Sequence, residues 1–142
     1  MLLLPNVFII SQFLRSATVS AVEQMRIESP KVRDALIEAL ADEYSRKIIL
    51  KTISKAESVE DLSRSENIPI STAYRRVNEL KEVGLLAVER TILSDDGKKY
   101  ELYRSSFSSF KIDLEHGEIM IEAEFNEDVA TRLSRLWASM RS

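Results

Sequence analysis

The chain contains no cysteine and a single histidine, His116, in 142 residues. That excludes a disulfide framework and any zinc site built from several Cys and His ligands of one chain, and it suits a cytoplasmic protein. Glycine and proline are equally scarce at three each, which leaves few loops. No Gly-rich phosphate loop, nucleophile elbow or catalytic pair of acids occurs, so neither an enzyme nor a cofactor is expected. No apolar run approaches the ~20 residues of a membrane-spanning helix. The uncharged stretch from Met1 to Leu14 is too short, and it lacks the basic start and small-residue cleavage pattern of a signal peptide. Twenty basic against twenty-three acidic residues give a net charge of −3, which argues against a protein that coats nucleic acid through bulk charge.

What is present is ordinary globular composition, 44% hydrophobic and 30% charged, enough for one domain with appendages. Ser29-Pro30 opens a helix in which Val32, Leu36, Ile37 and Leu40 recur at helical spacing. Asp42 is placed to cap the next, with Tyr44, Ile48, Ile49 and Ile53 as its buried stripe, Leu50 at the edge, and Arg46, Lys47 and Lys51 outside. A third begins at Ser58, where Ser-x-x-Asp61 resembles a capping box, and ends near Asn67. The fourth begins around Pro69, which is tolerated in a first helical turn because the N–H it lacks would be unbonded there, and stops at Gly84. On a helical wheel Ala73, Val77 and Leu80 share one side of this fourth helix, and Ser71, Arg75, Asn78 and Glu82 the other.

After Gly84 the period changes from about 3.6 to 2. Leu86, Val88, Arg90 and Ile92 fall on one side of one strand, and Tyr100, Leu102 and Arg104 return after the Asp96-Gly97 turn. Helices three and four with this charged ribbon read as a winged helix-turn-helix. A second hairpin follows. Turning at His116-Gly117, it pairs Leu114 with Ile119, Ile112 with Ile121 and Phe110 with Ala123 on one face, and Lys111 with Glu122 on the other. A last helix is expected from Asn126, with Val129, Leu133, Leu136, Trp137 and Met140 as an apolar stripe that needs a partner surface. The expected fold is therefore α+β, mainly α. Residues 1–28 form an N-terminal extension, with Met25 as an alternative start, 29–106 the winged domain, and 107–142 an acidic hairpin and helix suited to dimerisation.

Small hydroxyl residues at the start of a helix approach phosphates and base edges closely, and an arginine fork matches guanine or phosphate oxygens. Ser71, Thr72 and Arg75 are therefore candidates for contact with double-stranded DNA. Tyr74, Arg76 and Asn78 are candidates to hold the backbone, and Arg90, Lys98 and Lys99 to brace the wing. Each has a plainer alternative. Arg75 could pair with Glu79 one turn on. Arg76, on the flank, suits a phosphate clamp or an internal ion pair, and a charged wing tip also serves solubility. From Ser71 to Arg104 seven basic residues face six acidic ones, whereas from Lys111 to Asp128 one lysine faces seven acids. His116 beside Glu115 and Glu118 reads as a solvated hairpin tip, not a metal site.

The segment from about Val32 to Arg141 resembles the small archaeal winged-helix regulators grouped with the ArsR family. The resemblance rests on Asp42-Glu-Tyr-Ser-Arg-Lys-Ile-Ile-Leu50, Ser71-Thr-Ala-Tyr-Arg-Arg-Val-Asn-Glu-Leu80, Gly84-Leu-Leu86, the Asp96-Gly97 turn with Tyr100 and Tyr103, and Arg135-Leu-Trp-Ala-Ser-Met-Arg141. It implies a dimeric promoter-binding regulator. The cysteine or histidine-acid clusters of the metal-sensing members are missing here, so no metal is expected. The contrasting expectation is a winged-helix protein-interaction module of the transcription machinery without sequence-specific DNA binding.

Overall fold

The computed structural model of the chain describes residues 24–126. They divide into two compact units, 34–106 and 24–33 together with 107–126. The expected final helix, with Val129, Leu133, Leu136, Trp137 and Met140, and the stretch 1–23 lie outside the described residues.

Helix α1 (Pro30–Ala41) starts as expected, with the Ser29 hydroxyl accepting from Val32 N at 3.4 Å and Pro30 as its first residue. Helix α2 (Glu43–Ser54) is capped by Asp42, whose Oδ2 accepts from Ser45 N at 2.9 Å. Its buried stripe is Ser45, Ile48, Ile49 and Thr52; Tyr44 and Ile53 are only half-buried. Thr52 is accommodated because its hydroxyl donates to Ile48 O at 2.8 Å, leaving no unpaired polar atom inside. Burying Ile48 and Ile49 contributes about 1.5–3 kcal/mol each.

Helix α3 (Val59–Ser65) is capped by Ser58, which accepts from Asp61 N at 3.1 Å. It ends on Asn67 in the left-handed region, φ 54°, with Ile68 N bonding back to Ser63 O at 3.0 Å. Helix α4 (Ile70–Glu82) closes the same way. Gly84, at φ 85°, precedes Leu85, whose N–H reaches Leu80 O at 2.9 Å, and Gly84 N bonds Lys81 O at 3.1 Å. Both helices thus finish on a left-handed residue with a bond back across five positions, α4 in the full Schellman arrangement, and a buried apolar residue, Ile68 or Leu85, follows the left-handed position. Pro69 occupies the cap position of α4 and not its first helical residue; the missing N–H is harmless at either place.

The wing is β2 (Leu86–Leu93) paired antiparallel with β3 (Lys99–Ser105). One correction to the alternation concerns the residues expected on a single side. A β-bulge between Val88 and Arg90 adds one residue to β2 relative to β3, so Leu86 and Val88 pair with Ser105 and Tyr103 while Arg90 and Ile92 pair with Leu102 and Tyr100. Because paired residues share a face, the extra residue moves Arg90 and Ile92 to the side opposite Leu86 and Val88. A further strand segment joins at Glu57, which exchanges two backbone hydrogen bonds with Tyr103, at 3.0 and 2.9 Å. The core of this unit lies among α1, α2, α3, α4 and the base of the wing, at Leu36, Ile48, Ile49, Leu62, Val77, Leu80 and Leu85.

In the other unit β4 (Phe107–Glu115) and β5 (Glu118–Phe125) form the hairpin in the anticipated register. His116 and Gly117 both have positive φ, 53° and 77°, the backbone of a type I′ turn. Residues 24–28, assigned above to the N-terminal extension, contribute β1 (Gln24–Arg26), which pairs with β5 so that the sheet order is β1-β5-β4. The shared apolar face is uneven. Ile121 and Ala123 are buried near the stacked Phe107–Phe125 pair (centroids 5.1 Å), whereas Leu114 is 77% exposed near the turn. The described residues contain no helix long and apolar enough to cross a membrane.

Candidate nucleic-acid interface

The helix-turn-helix angle is held by the α3 cap. Asn67 reverses the chain, Ile68 is buried, and the Ser63 hydroxyl donates to Ile68 O at 2.6 Å, closing the turn before α4. Helix α4 then buries Ala73, Val77 and Leu80 and presents Ser71, Arg75, Asn78 and Glu82 as an exposed strip, as the helical wheel requires. Thr72 is half-buried beside that strip.

The flanks of α4 are tied down. On one side Arg76 approaches the cap of α2, with Nε 3.0 Å from Asp42 Oδ2 and Nη2 donating to Oδ1 at 3.3 Å. The Nε–H makes no well-aligned hydrogen bond despite that distance, so the contact is carried by charge and by Nη2. Arg76 Nη1 also reaches Glu79 at 3.3 Å. The Asp42 carboxyl is held below the usual carboxylate range, first by the Ser45 backbone N–H and then by the Ser45 hydroxyl and Arg76, against the opposing effect of burial. On the other flank the Tyr74 hydroxyl donates to Glu60 of α3, and that bond pushes its pKa above the ordinary phenol value. Lys81, further along the same flank, lies 3.8 Å from Glu101 on β3.

The wing is anchored at its base by Arg104, whose Nε donates to Ile53 O of α2 at 2.9 Å while Nη1 meets Glu89 at 2.9 Å. Its tip is organised by Gly97 at φ 84° and by Ser94, which accepts from Lys98 N at 3.1 Å and donates to Asp96. The Ser94 hydroxyl and, after it, the Lys98 N–H, which Asp96 Oδ1 accepts at 3.4 Å, lower the Asp96 pKa.

Ion pairing sorts the charges of this region into those held and those left exposed. Arg76, Lys81 and Arg104 are matched by Asp42 with Glu79, by Glu101 and by Glu89. Among the described residues Arg75, Arg90, Lys98 and Lys99 are exposed and carry no ion pair. Glu79, the expected alternative partner of Arg75, pairs with Arg76 instead. The exposed acids Glu82, on the same strip of α4, and Asp95 and Asp96, at the wing tip, also carry no ion pair among the described residues, so the outer surface of α4 and the wing holds four such cations against three such acids.

Three pairings of structural weight carried no local signal. Glu60 is 14 residues from Tyr74, Ile53 is 51 from Arg104, and Asp42 is 34 from Arg76. Asp42 was legible as a cap but not as the acceptor of a helix 34 residues away.

No protein-family model and no curated protein matches the sequence. Among solved structures, the chain is similar to the homodimeric winged helix-turn-helix DNA-binding domain (fragment 1–100) of Mb0332 from Mycobacterium bovis, described as a possible ArsR-family transcriptional regulator. That similarity has 16% identity and a TM-score of 0.43, and covers 78% of this chain and 80% of that one. It is also similar to HlyU from Vibrio cholerae, at 14% identity and a TM-score of 0.38, over 82% of this chain and 100% of that one.

Proposed function

We propose that the protein is a DNA-binding transcriptional regulator that lays α4 in a major groove and braces it with the wing. The observation that carries this is that Arg75, on the exposed strip of α4, and Arg90, Lys98 and Lys99, on the wing, carry no ion pair among the described residues and outnumber the acids Glu82, Asp95 and Asp96 beside them. Unpaired Lys and Arg release counterions when they meet phosphates, which a cation already spent on a carboxylate does not. Ser71, Thr72 and Arg75 stand at the reading end, with Arg75 as the base-contacting fork. Asn78 and the Tyr74 edge meet the backbone. Arg76 acts through Asp42 as a positioning residue that holds α4 at its angle.

Dimerisation through Val129, Leu133, Leu136, Trp137 and Met140 would present two reading helices to a palindromic site with half-sites about one turn, ~10 bp, apart. The regulator works in the cytoplasm and needs no metal or cofactor.

The test is a fluorescence-anisotropy titration of the full chain against a fragment of its own upstream region and a scrambled duplex, at two salt concentrations. Tighter binding to the upstream fragment, with Arg75→Ala losing about 1–3 kcal/mol on that fragment and little on the scrambled one, is expected. Absence of binding to either duplex at low salt would overturn the proposal in favour of a protein-interaction module.

A further inference from the structure

Between α3, the start of α4 and the wing lies a cleft of about 420 Å³, lined by Val59, Glu60, Tyr74, Tyr100, Glu101 and Tyr103, with Thr91 and Lys99 completing the wall. Its volume falls within the ~300–1,000 Å³ of clefts that hold small molecules. Three of the protein's four tyrosines converge on it. Two carboxylates stand among them: Glu60 accepts from the Tyr74 hydroxyl, and Glu101 accepts from the Tyr103 hydroxyl at 2.7 Å.

We propose that this cleft binds a small organic cation, its ammonium group lying between Glu60 and Glu101 and its alkyl groups resting on the tyrosine rings. The chemistry follows from the wall. Each carboxylate has about four lone-pair sites, and the phenol it holds occupies one, so acceptor capacity is left over for a positive group. The hydroxyl bonds fix the phenols beside the carboxylates, so rings and anions can be used together, and a cation over a tyrosine face gains further when water is excluded. An anion would meet two carboxylates and is excluded by the same arrangement. The protein's own competitor is Lys81, but its 3.8 Å contact with Glu101 joins two half-exposed side chains and contributes little. Lys99 lines the cleft without an ion pair among the described residues and leaves the two carboxylates in excess there. Both tyrosine hydroxyls have raised pKa values, Tyr74 chiefly through Glu60 and Tyr103 chiefly through burial, so they remain neutral donors at working pH.

The site borders the reading helix through Tyr74, so on the DNA-binding proposal above an occupant would offset one of the two carboxylate charges beside the groove contact. Binding of the cation does not rest on that proposal, and its test contains no DNA. Choline and its uncharged isostere 3,3-dimethylbutan-1-ol are titrated into the full chain by isothermal calorimetry, with Glu60→Gln and Tyr100→Leu variants whose folding is checked by circular dichroism. The expected result is saturable choline binding in the millimolar range or tighter, no binding of the isostere, and a loss of about tenfold in each folded variant. Equal binding of the two compounds, no choline binding, or unchanged affinity in both folded variants would overturn the proposal. Should a variant fail to fold, the comparison of choline with its isostere on the unaltered chain still decides it.

Discussion

Asp42 performs two tasks whose contributions are separable. It caps α2 through Ser45 N at 2.9 Å, and it receives Arg76 from α4, with both side chains partly buried at 31% and 25% exposure. Asn caps a helix about as well as Asp, so Asp42→Asn removes the charge and keeps the cap, whereas Asp42→Ala removes both. The cap contributes about 1 kcal/mol. The ion pair lies between an exposed one, worth ~0–1 kcal/mol, and a buried charged hydrogen bond, so about 1 kcal/mol is expected of it after screening. Urea denaturation followed by circular dichroism at neutral pH should therefore place Asp42→Asn about 1 kcal/mol and Asp42→Ala about 2 kcal/mol below the parent chain. A double-mutant cycle with Arg76→Met should return most of the ion-pair energy as coupling.

The pH dependence has a fixed sign. The folded Asp42 carboxyl is depressed below the unfolded value of 3.8, so its contribution is complete above about pH 4 and is lost as the pH falls through the folded value. The gap between the parent and Asp42→Asn should then shrink at pH 3. Equal stabilities of Asp42→Asn and Asp42→Ala, a coupling energy of zero, or a gap that stays constant down to pH 3 would each refute the reasoning.

Three other perturbations test the remaining supports. Gly84→Ala should cost about 1–2 kcal/mol in thermal or urea unfolding although an added Cβ meets nothing within 4 Å, because the cost is that of holding a side chain at φ 85°. Asn67→Gly, at φ 54°, should be neutral or slightly stabilising in the same assay. Arg104→Met removes the hydrogen bond to the Ile53 carbonyl and the ion pair with the half-buried Glu89, and should lower stability by about 1–2 kcal/mol in urea titrations; an unchanged midpoint would remove Arg104 from the supports of the wing. Reversing Lys98 and Lys99 to Glu should reduce the dependence of DNA affinity on salt, measured by anisotropy from low to physiological ionic strength; an unchanged slope would remove the wing from the interface.

Features closed within a few residues were legible in advance. The Asp42 and Ser58 caps each bond an N–H three residues on, Gly84 closes its helix with bonds spanning at most five residues, and His116-Gly117 sets a two-residue turn that fixes the whole register of β4 and β5. In all of these the residue type itself supplies the acceptor or the positive φ. The period-2 pattern was a poorer guide in the wing, because one extra residue at the bulge between Val88 and Arg90 exchanges the two faces without any mark in the hydrophobic alternation. Strand β1 went unnoticed for a related reason: three residues are too short to show a period, and Gln24–Arg26 is a strand only because β5 offers a free edge.

The sequence by itself determined where α1 to α4 start, where α3 and α4 stop, and which side of α4 is apolar, since caps and helical periodicity act over one or two turns. It also placed Ser71, Arg75 and Asn78 on one exposed strip. Only the tertiary structure decided which charges remain available. Arg75 and Arg76 are neighbours of identical type, yet one is bound to Asp42 and Glu79 and the other is left unpaired, because the packing of α4 against α2 brings a carboxylate 34 residues away to one flank and none to the outer face. The same packing assembles the tyrosine-lined cleft from three elements. Ion pairs and clefts depend on distances between elements, and those distances are set by how the apolar faces close on one another.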